Sequence, residues 1–175
     1  MIARLAPLAP LLLLPLALAG CGLKPLYAGG TSGTVATTLA EVEVAPIQGR
    51  AGWLVGNALR DQLAAPAGGS PRYRLQVRLD DQITGLGVRR DDSITRERRT
   101  LRARYQLVDL ASSRVVLDAT AGSDAGIDVV QSEYATIAAE NTALERLSTI
   151  VADKIVARIA LFAGSRTSAG SSTAP

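Results

Sequence analysis

YRLQVRLD, from Tyr73 to Asp80, alternates without a break: Tyr73, Leu75, Val77 and Leu79 are apolar, while Arg74, Gln76, Arg78 and Asp80 are polar. Successive side chains leave a strand on opposite faces, so the pattern describes a strand with one dry face and one wet face. LRARYQL, from Leu101 to Leu107, repeats it with the odd positions again apolar. Two such strands joined as a hairpin keep their dry faces together only if paired residue numbers sum to an even value. A sum of 180 sets Arg78 against Arg102, whereas 182 sets Asp80 against Arg102 and avoids that like-charge pair. The second register is therefore favoured.

Working outward, Leu39 to Ile47 reads as a first strand, with Pro46 ending its ladder or holding it at an edge. Gly49 to Ala65 reads as a helix, because Ala51, Val55, Leu59 and Leu63 are four apart and Pro66-Ala67-Gly68-Gly69 stops the pattern. Trp53 falls off that stripe, and widening of the core face is favoured over a contact surface. Beyond Leu107, a tight turn at Ala111-Ser112-Ser113 leads into a fourth strand over Ser113 to Ala121, and Gly122 to Val130 is rich in turn residues. Ser132 is placed to cap a closing helix that reaches Ala163, with Leu144, Leu147, Val151, Ile155, Ile159 and Phe162 on one face. At 1.5 Å per residue that helix is about 48 Å long, so a kink or fraying is expected and the end past Phe162 should project. The resulting fold class is α+β, a two-layer sandwich of about four mostly antiparallel strands with two helices on one face. It occupies a single domain over 39–163, and Gly164 to Pro175 reads as a disordered tail.

Composition removes most catalytic chemistry. Histidine is absent, so the usual base near neutral pH and the commonest metal ligand are missing. A serine nucleophile would need a lysine, and the two lysines are Lys24 and Lys154. No phosphate loop, nucleotide fingerprint or metal-ligand cluster occurs, and no cofactor is implied. The carboxylate neighbours Asp80-Asp81 and Asp91-Asp92 read as turn or hairpin-end residues, not as an acid/base pair. The chain reads as a non-enzyme.

Charge gathers in one place. VRRDDSITRERR, from Val88 to Arg99, puts Arg89, Arg90, Arg96, Arg98 and Arg99 at or near the hairpin tip, and Arg74, Arg78, Arg102 and Arg104 lie on the wet face below. Arginine's planar fork binds phosphate through two parallel hydrogen bonds, which makes these five tip arginines the candidate ligand-binding residues. The plain alternative is a solvated hairpin whose charges discourage edge-to-edge pairing, with Asp91, Asp92 and Glu97 as local partners.

The N-terminus indicates where such a hairpin would work. A charge at Arg4 and an apolar run from Leu5 to Ala19 end at Cys21, the single cysteine. That run is too short to cross a bilayer and has the make-up of a secretory signal peptide over 1–20. An ordinary secreted protein with an incidental thiol is one reading. The other follows from Leu18-Ala19-Gly20-Cys21, which resembles the lipobox of bacterial lipoproteins, and acylation accounts for a cysteine with no disulfide partner. More than one acyl chain would hold the mature protein stably at a membrane surface. Residues 21–38, rich in glycine, serine and threonine, then form a lipidated linker. Gly22, where lipoproteins retained in the inner membrane often carry aspartate, implies an outer-membrane, periplasm-facing location, which leaves no place for nucleic acid as a partner.

Cys21-Gly22-Leu23-Lys24-Pro25-Leu26-Tyr27, with a helix like Arg50 to Leu63 and a closing alanine-rich helix, resembles the lipopolysaccharide-assembly lipoproteins of alphaproteobacterial type. That resemblance implies a small subunit of the outer-membrane translocon, with a large β-barrel as protein partner and lipopolysaccharide as ligand. A different lipoprotein, an auxiliary subunit of another envelope lipid transporter, is the alternative.

Overall fold

Strand β2 (Tyr73–Val88) and strand β3 (Ile94–Asp109) form a long antiparallel hairpin in which every pair of partners sums to 182, including Asp80 with Arg102. The computed structural model describes residues 33–63, 70–88 and 94–171. Within them the chain runs α1 (Thr34–Ala40), β1 (Val42–Val44), α2 (Gly49–Gln62), β2, β3, β4 (Arg114–Asp128) and α3 (Glu133–Ser171). The four strands lie side by side in sequence order, with β1 parallel to β2 and the other neighbours antiparallel. This is the expected α+β sandwich, with three described helices in place of two.

The favoured register removes one like-charge pair and creates another, since Arg78 now faces Arg104. That contact is tolerated because Asp118 on β4 holds Arg104 from the other side.

Alternation places Tyr73, Leu75, Leu101, Ala103, Tyr105 and Leu107 on the dry face, all buried beneath the helices. Over them pack Val55 and Leu59 of α2 and Leu144, Leu147, Val151, Ile155 and Ile159 of α3. Burying each such side chain contributes about 1.5–3 kcal/mol, so the stripe spacing of the helices and the alternation of the strands are two halves of one core. The two helices run parallel: Arg50 meets Asn141 at 2.6 Å and Gln62 meets Asp153 at 2.9 Å. Ser132 caps α3 as expected, its hydroxyl accepting the Ala135 N–H at 3.4 Å.

Several boundaries differ from expectation. Part of the expected linker is α1, whose Val35 and Leu39 are buried in the core. Three β-branched threonines and a valine give TVATTLA little intrinsic helix preference, so packing decides its state. The first strand accordingly shrinks to three residues. Strand β4 continues through the turn-rich stretch to Asp128, because Gly122 and Gly126 keep ladder partners in Arg102 and Arg98. Helix α3 is one element to Ser171, about 58 Å long. Its end does not project at Phe162, since Ala163 is buried and Arg166 donates to the Tyr73 hydroxyl at 2.9 Å. The expected tail is thus helical as far as Ser171. Trp53 is 64% exposed, a surface residue, because the core face of α2 runs through Gly52, Val55, Gly56 and Leu59. Asp80 and Asp81 sit within β2, not at a turn, and Asp91-Asp92 lies outside the described residues. Among those residues no helix is long and apolar enough to cross a membrane.

Gly52 marks the tightest approach between α2 and the chain leading into it. A Cβ there would lie 2.6 Å from the Ile47 carbonyl oxygen, a backbone atom that cannot swing aside. Gly52→Ala should therefore destabilise the fold by about 1–3 kcal/mol in thermal or denaturant unfolding. At Gly56 the nearest obstacle is the flexible end of Arg60, at 3.2 Å. Gly56→Ala should instead leave stability unchanged or raise it by up to about 1 kcal/mol.

Candidate functional site

Strand parity divides the candidate arginines. Even-numbered residues of β2 and β3 face away from the helices, so Arg96 and Arg98 stand on the wet face, 64% and 57% exposed. Arg99, one residue on, points inward. Its guanidinium makes two hydrogen bonds to Asp81, at 2.9 and 2.6 Å, and a third to the Glu140 carbonyl of α3 at 2.9 Å. With 11% of its side chain exposed, Arg99 clamps helix to sheet and is not a surface ligand contact. Arg89 and Arg90 lie outside the described residues, as does Cys21.

The wet face extends the array downward. Arg74, Arg78, Arg102 and Arg104 continue from Arg96 and Arg98, all of them exposed. Strand β4 supplies the opposing charges: Asp128 pairs with Arg96 at 3.4 Å, Asp124 with Arg98 at 3.9 Å and Asp118 with Arg104 at 3.1 Å. Arg74 pairs with Glu43 at 3.3 Å. Arg78 and Arg102 have no ion pair within 4 Å among the described residues. Exposed ion pairs contribute only about 0–1 kcal/mol each, so an incoming anion can exchange for these aspartates at small cost.

Between the strands lies a shallow trough of about 450 Å³, lined by Arg78, Asp80, Arg102, Arg104, Thr120 and Gly122. A second hollow of about 250 Å³ shares Arg78 and Arg104 and continues it towards Gln76 and Gln106. Gly122 keeps the trough open: a Cβ there would come within 3.2 Å of the Arg102 stem. The arginines at the centre were visible in the alternating pattern. The aspartate row was not, because it depends on β4 running through a segment whose composition reads as turns.

Two electrostatic environments differ across the sheet. On the wet face, hydrogen bonds from Arg104 and Gln106 hold the Asp118 carboxyl below the usual carboxylate range. On the dry face, desolvation and the neighbouring Glu140 push the Glu97 carboxyl up. One Glu97 oxygen is buried without a hydrogen-bond partner. The wet face thus presents a row of exposed guanidinium groups whose carboxylate partners are themselves open to solvent.

The family model for lipopolysaccharide assembly, LptE, matches residues 39–159, most of the chain and all of the sheet. The chain belongs to the LptE family. Its role accordingly lies in lipopolysaccharide assembly. Comparison with curated protein sequences gives no match. Among solved structures, a lipoprotein from Caulobacter crescentus CB15 is 24% identical, with a TM-score of 0.65, covering 77% of this chain and 98% of its own. The rare lipoprotein B of Shewanella oneidensis is 9% identical with a TM-score of 0.53, covering 68% and 92%. Lipoprotein B of Nitrosomonas europaea is 14% identical with the same TM-score, covering 71% and 88%. These three share the fold of this LptE member.

Two substitutions separate clamp from array. Arg99→Gln should cost about 1–3 kcal/mol of stability through the loss of its charged hydrogen bonds, while the wet face keeps its anion affinity. Glu97 works in the other direction: a carboxyl whose folded-state pKa is raised contributes most at low pH and loses that contribution as pH rises through its folded pKa. Glu97→Gln should therefore melt above the wild type at neutral pH, with the gap closing on acidification into the carboxylate range, as thermal melts across pH would record.

Proposed function

We propose that this LptE member is a non-catalytic outer-membrane lipoprotein, acylated at Cys21 after removal of residues 1–20. It binds lipopolysaccharide through its arginine face and seats in the translocon β-barrel as plug and assembly partner. The observation that carries the reading is the row of exposed arginines Arg96, Arg98, Arg102 and Arg104 along one strand, flanked by exchangeable aspartates and an open trough. Lipid A presents phosphates, and guanidinium forks match phosphate geometry through paired hydrogen bonds. Barrel interiors are polar and wet, so a sandwich that keeps one sheet face charged can be enclosed without burying apolar surface against water. The role in lipopolysaccharide assembly that comes with the family supports the same ligand. Arg89 and Arg90, which follow Val88 in the sequence, are counted among the ligand-binding residues in this proposal.

Binding is tested with purified lipopolysaccharide. Arg96→Gln, Arg98→Gln and Arg102→Gln combined should weaken association about tenfold or more, or ~1.4 kcal/mol, without a change in melting temperature. Equal affinity would return the arginines to the role of solvated strand charges. Extraction from native membranes should recover the protein with its barrel, and intact mass should show a diacylglycerol thioether at Cys21. If depletion disturbed phospholipid traffic and left surface lipopolysaccharide normal, the protein would belong instead to another lipid transporter.

A further inference from the structure

A second basic site lies at the other end of the sandwich, where β2 and β4 begin and β3 ends. Tyr73 faces Asp109, and Asp109 in turn faces Arg114. Helix α3 brings Phe162 and Arg166 to the same end. The Arg166 guanidinium lies 5.6 Å from the Phe162 ring centre, and that of Arg72 lies 5.3 Å from the Tyr73 ring centre. The two rings meet edge to face at 6.4 Å. They support a hollow of about 420 Å³ whose lining includes Asp109, Arg114, Val115, Phe162 and Arg166. Arg72, Arg114 and Arg166 gather here, and Asp109 is already engaged: it accepts the Ala111 and Ser112 amides at 3.0 Å and lies 3.9 Å from Arg72. Arg114 is exposed and has no ion pair among the described residues, and Val115 beside it is 50% exposed.

The first described residues enter the fold at this end. The Glu41 carbonyl, directly after α1, accepts the amides of Arg72 and Tyr73 at 2.9 and 3.1 Å. Gly33 precedes the seven residues of α1, so it lies only about 10 Å away along the helix. Cys21 is twelve residues earlier, so a slack chain reaches this end and only a fully extended one, about 40 Å long, would approach the hairpin end. The hairpin end is about 50 Å distant along the 16 residues of β2.

From this placement we propose that the Arg72/Arg114/Arg166 end is a docking surface for the anionic phospholipid headgroups of the leaflet that carries the acyl anchor. It rests on the acylation of Cys21 proposed above and is independent of the hairpin and its ligand. Arginines gain favourable energy near an anionic surface, within a screening length set by salt. Single contacts of this kind are weak. A tether multiplies them by holding the local lipid concentration high. The arginine-rich hairpin would then point away from the anchored surface, which separates the two basic sites by task.

The test uses the acylated full protein in vesicles, labelled at one introduced thiol: Ala111→Cys in the turn of the basic end, or Thr84→Cys on the hairpin. In phosphatidylcholine vesicles containing phosphatidylglycerol, the Ala111→Cys label should be shielded several-fold from a water-soluble quencher. High salt, or omission of phosphatidylglycerol, should abolish the shielding, and the Thr84→Cys label should stay open throughout. Arg114→Gln, at an exposed strand start where folding is not at issue, should reduce the shielding, and adding Arg166→Gln should remove it. Equal access with and without phosphatidylglycerol would overturn the proposal, as would shielding that survives both substitutions. Lipopolysaccharide affinity measured on the same variants should not move, so failure here is distinguishable from failure of the arginine face.

Discussion

Every β2–β3 pair sums to 182, and the two-sided character of the molecule depends on that single register. A slip of one residue would turn one strand over against the other: if β3 turned, Leu101, Tyr105 and Leu107 would go to the solvent and Arg102 and Arg104 under the helices. Burying unpaired guanidinium groups while exposing the core is prohibitive on both counts. The dry face therefore holds the register in place, and the wet face inherits its order of charges from that choice. The arrangement of arginines that reads as functional is thus a by-product of a packing constraint.

The same parity gives neighbouring arginines opposite tasks. Arg98 and Arg99 are adjacent in sequence, yet one stands 57% exposed over an aspartate it can exchange, while the other is tied into Asp81 and the Glu140 carbonyl. A charge in contact with water can trade partners at little cost, whereas one buried against α3 cannot. Exchangeable and clamped arginines consequently sit on opposite sides of one strand. Near the clamp, Glu97 is held against Glu140, a local tension on the dry side of the sheet.

Lengths define the long axis. Strands β2 and β3 are about 50 Å long and α2 only about 21 Å, so α3, at about 58 Å, is the one described helix long enough to match the hairpin. It crosses from the Arg99 clamp near the tip to the Tyr73, Phe162 and Arg166 cluster at the base. A charged hairpin and a basic, aromatic-backed base are thereby joined by one rigid element. Both ends carry arginine, but with different surroundings: a row of exchangeable aspartates in one case, paired aromatic rings in the other.

Alternation in Tyr73 to Asp80 and Leu101 to Leu107 was legible because a strand with one dry face must repeat every two residues. The stripes of α2 and α3, the Ser132 cap and the turn at Ala111-Ser112-Ser113 were legible for equally local reasons, as was the outward position of Arg78, Arg102 and Arg104. The register itself could be argued from like charges, although only β4 explains why Arg78 opposite Arg104 is acceptable: Asp118 arrives from a segment 14 residues beyond Arg104. Helix α1, the run of β4 through Gly122 and Gly126, the continuation of α3 to Ser171 and the bonds of Arg99 to Asp81 and the Glu140 carbonyl were decided by tertiary structure. In each of these the local preference is weak or contrary, and burial of Val35 and Leu39, ladder pairing with β3, or a bond to a distant partner such as Asp81 or Tyr73 supplies the missing free energy.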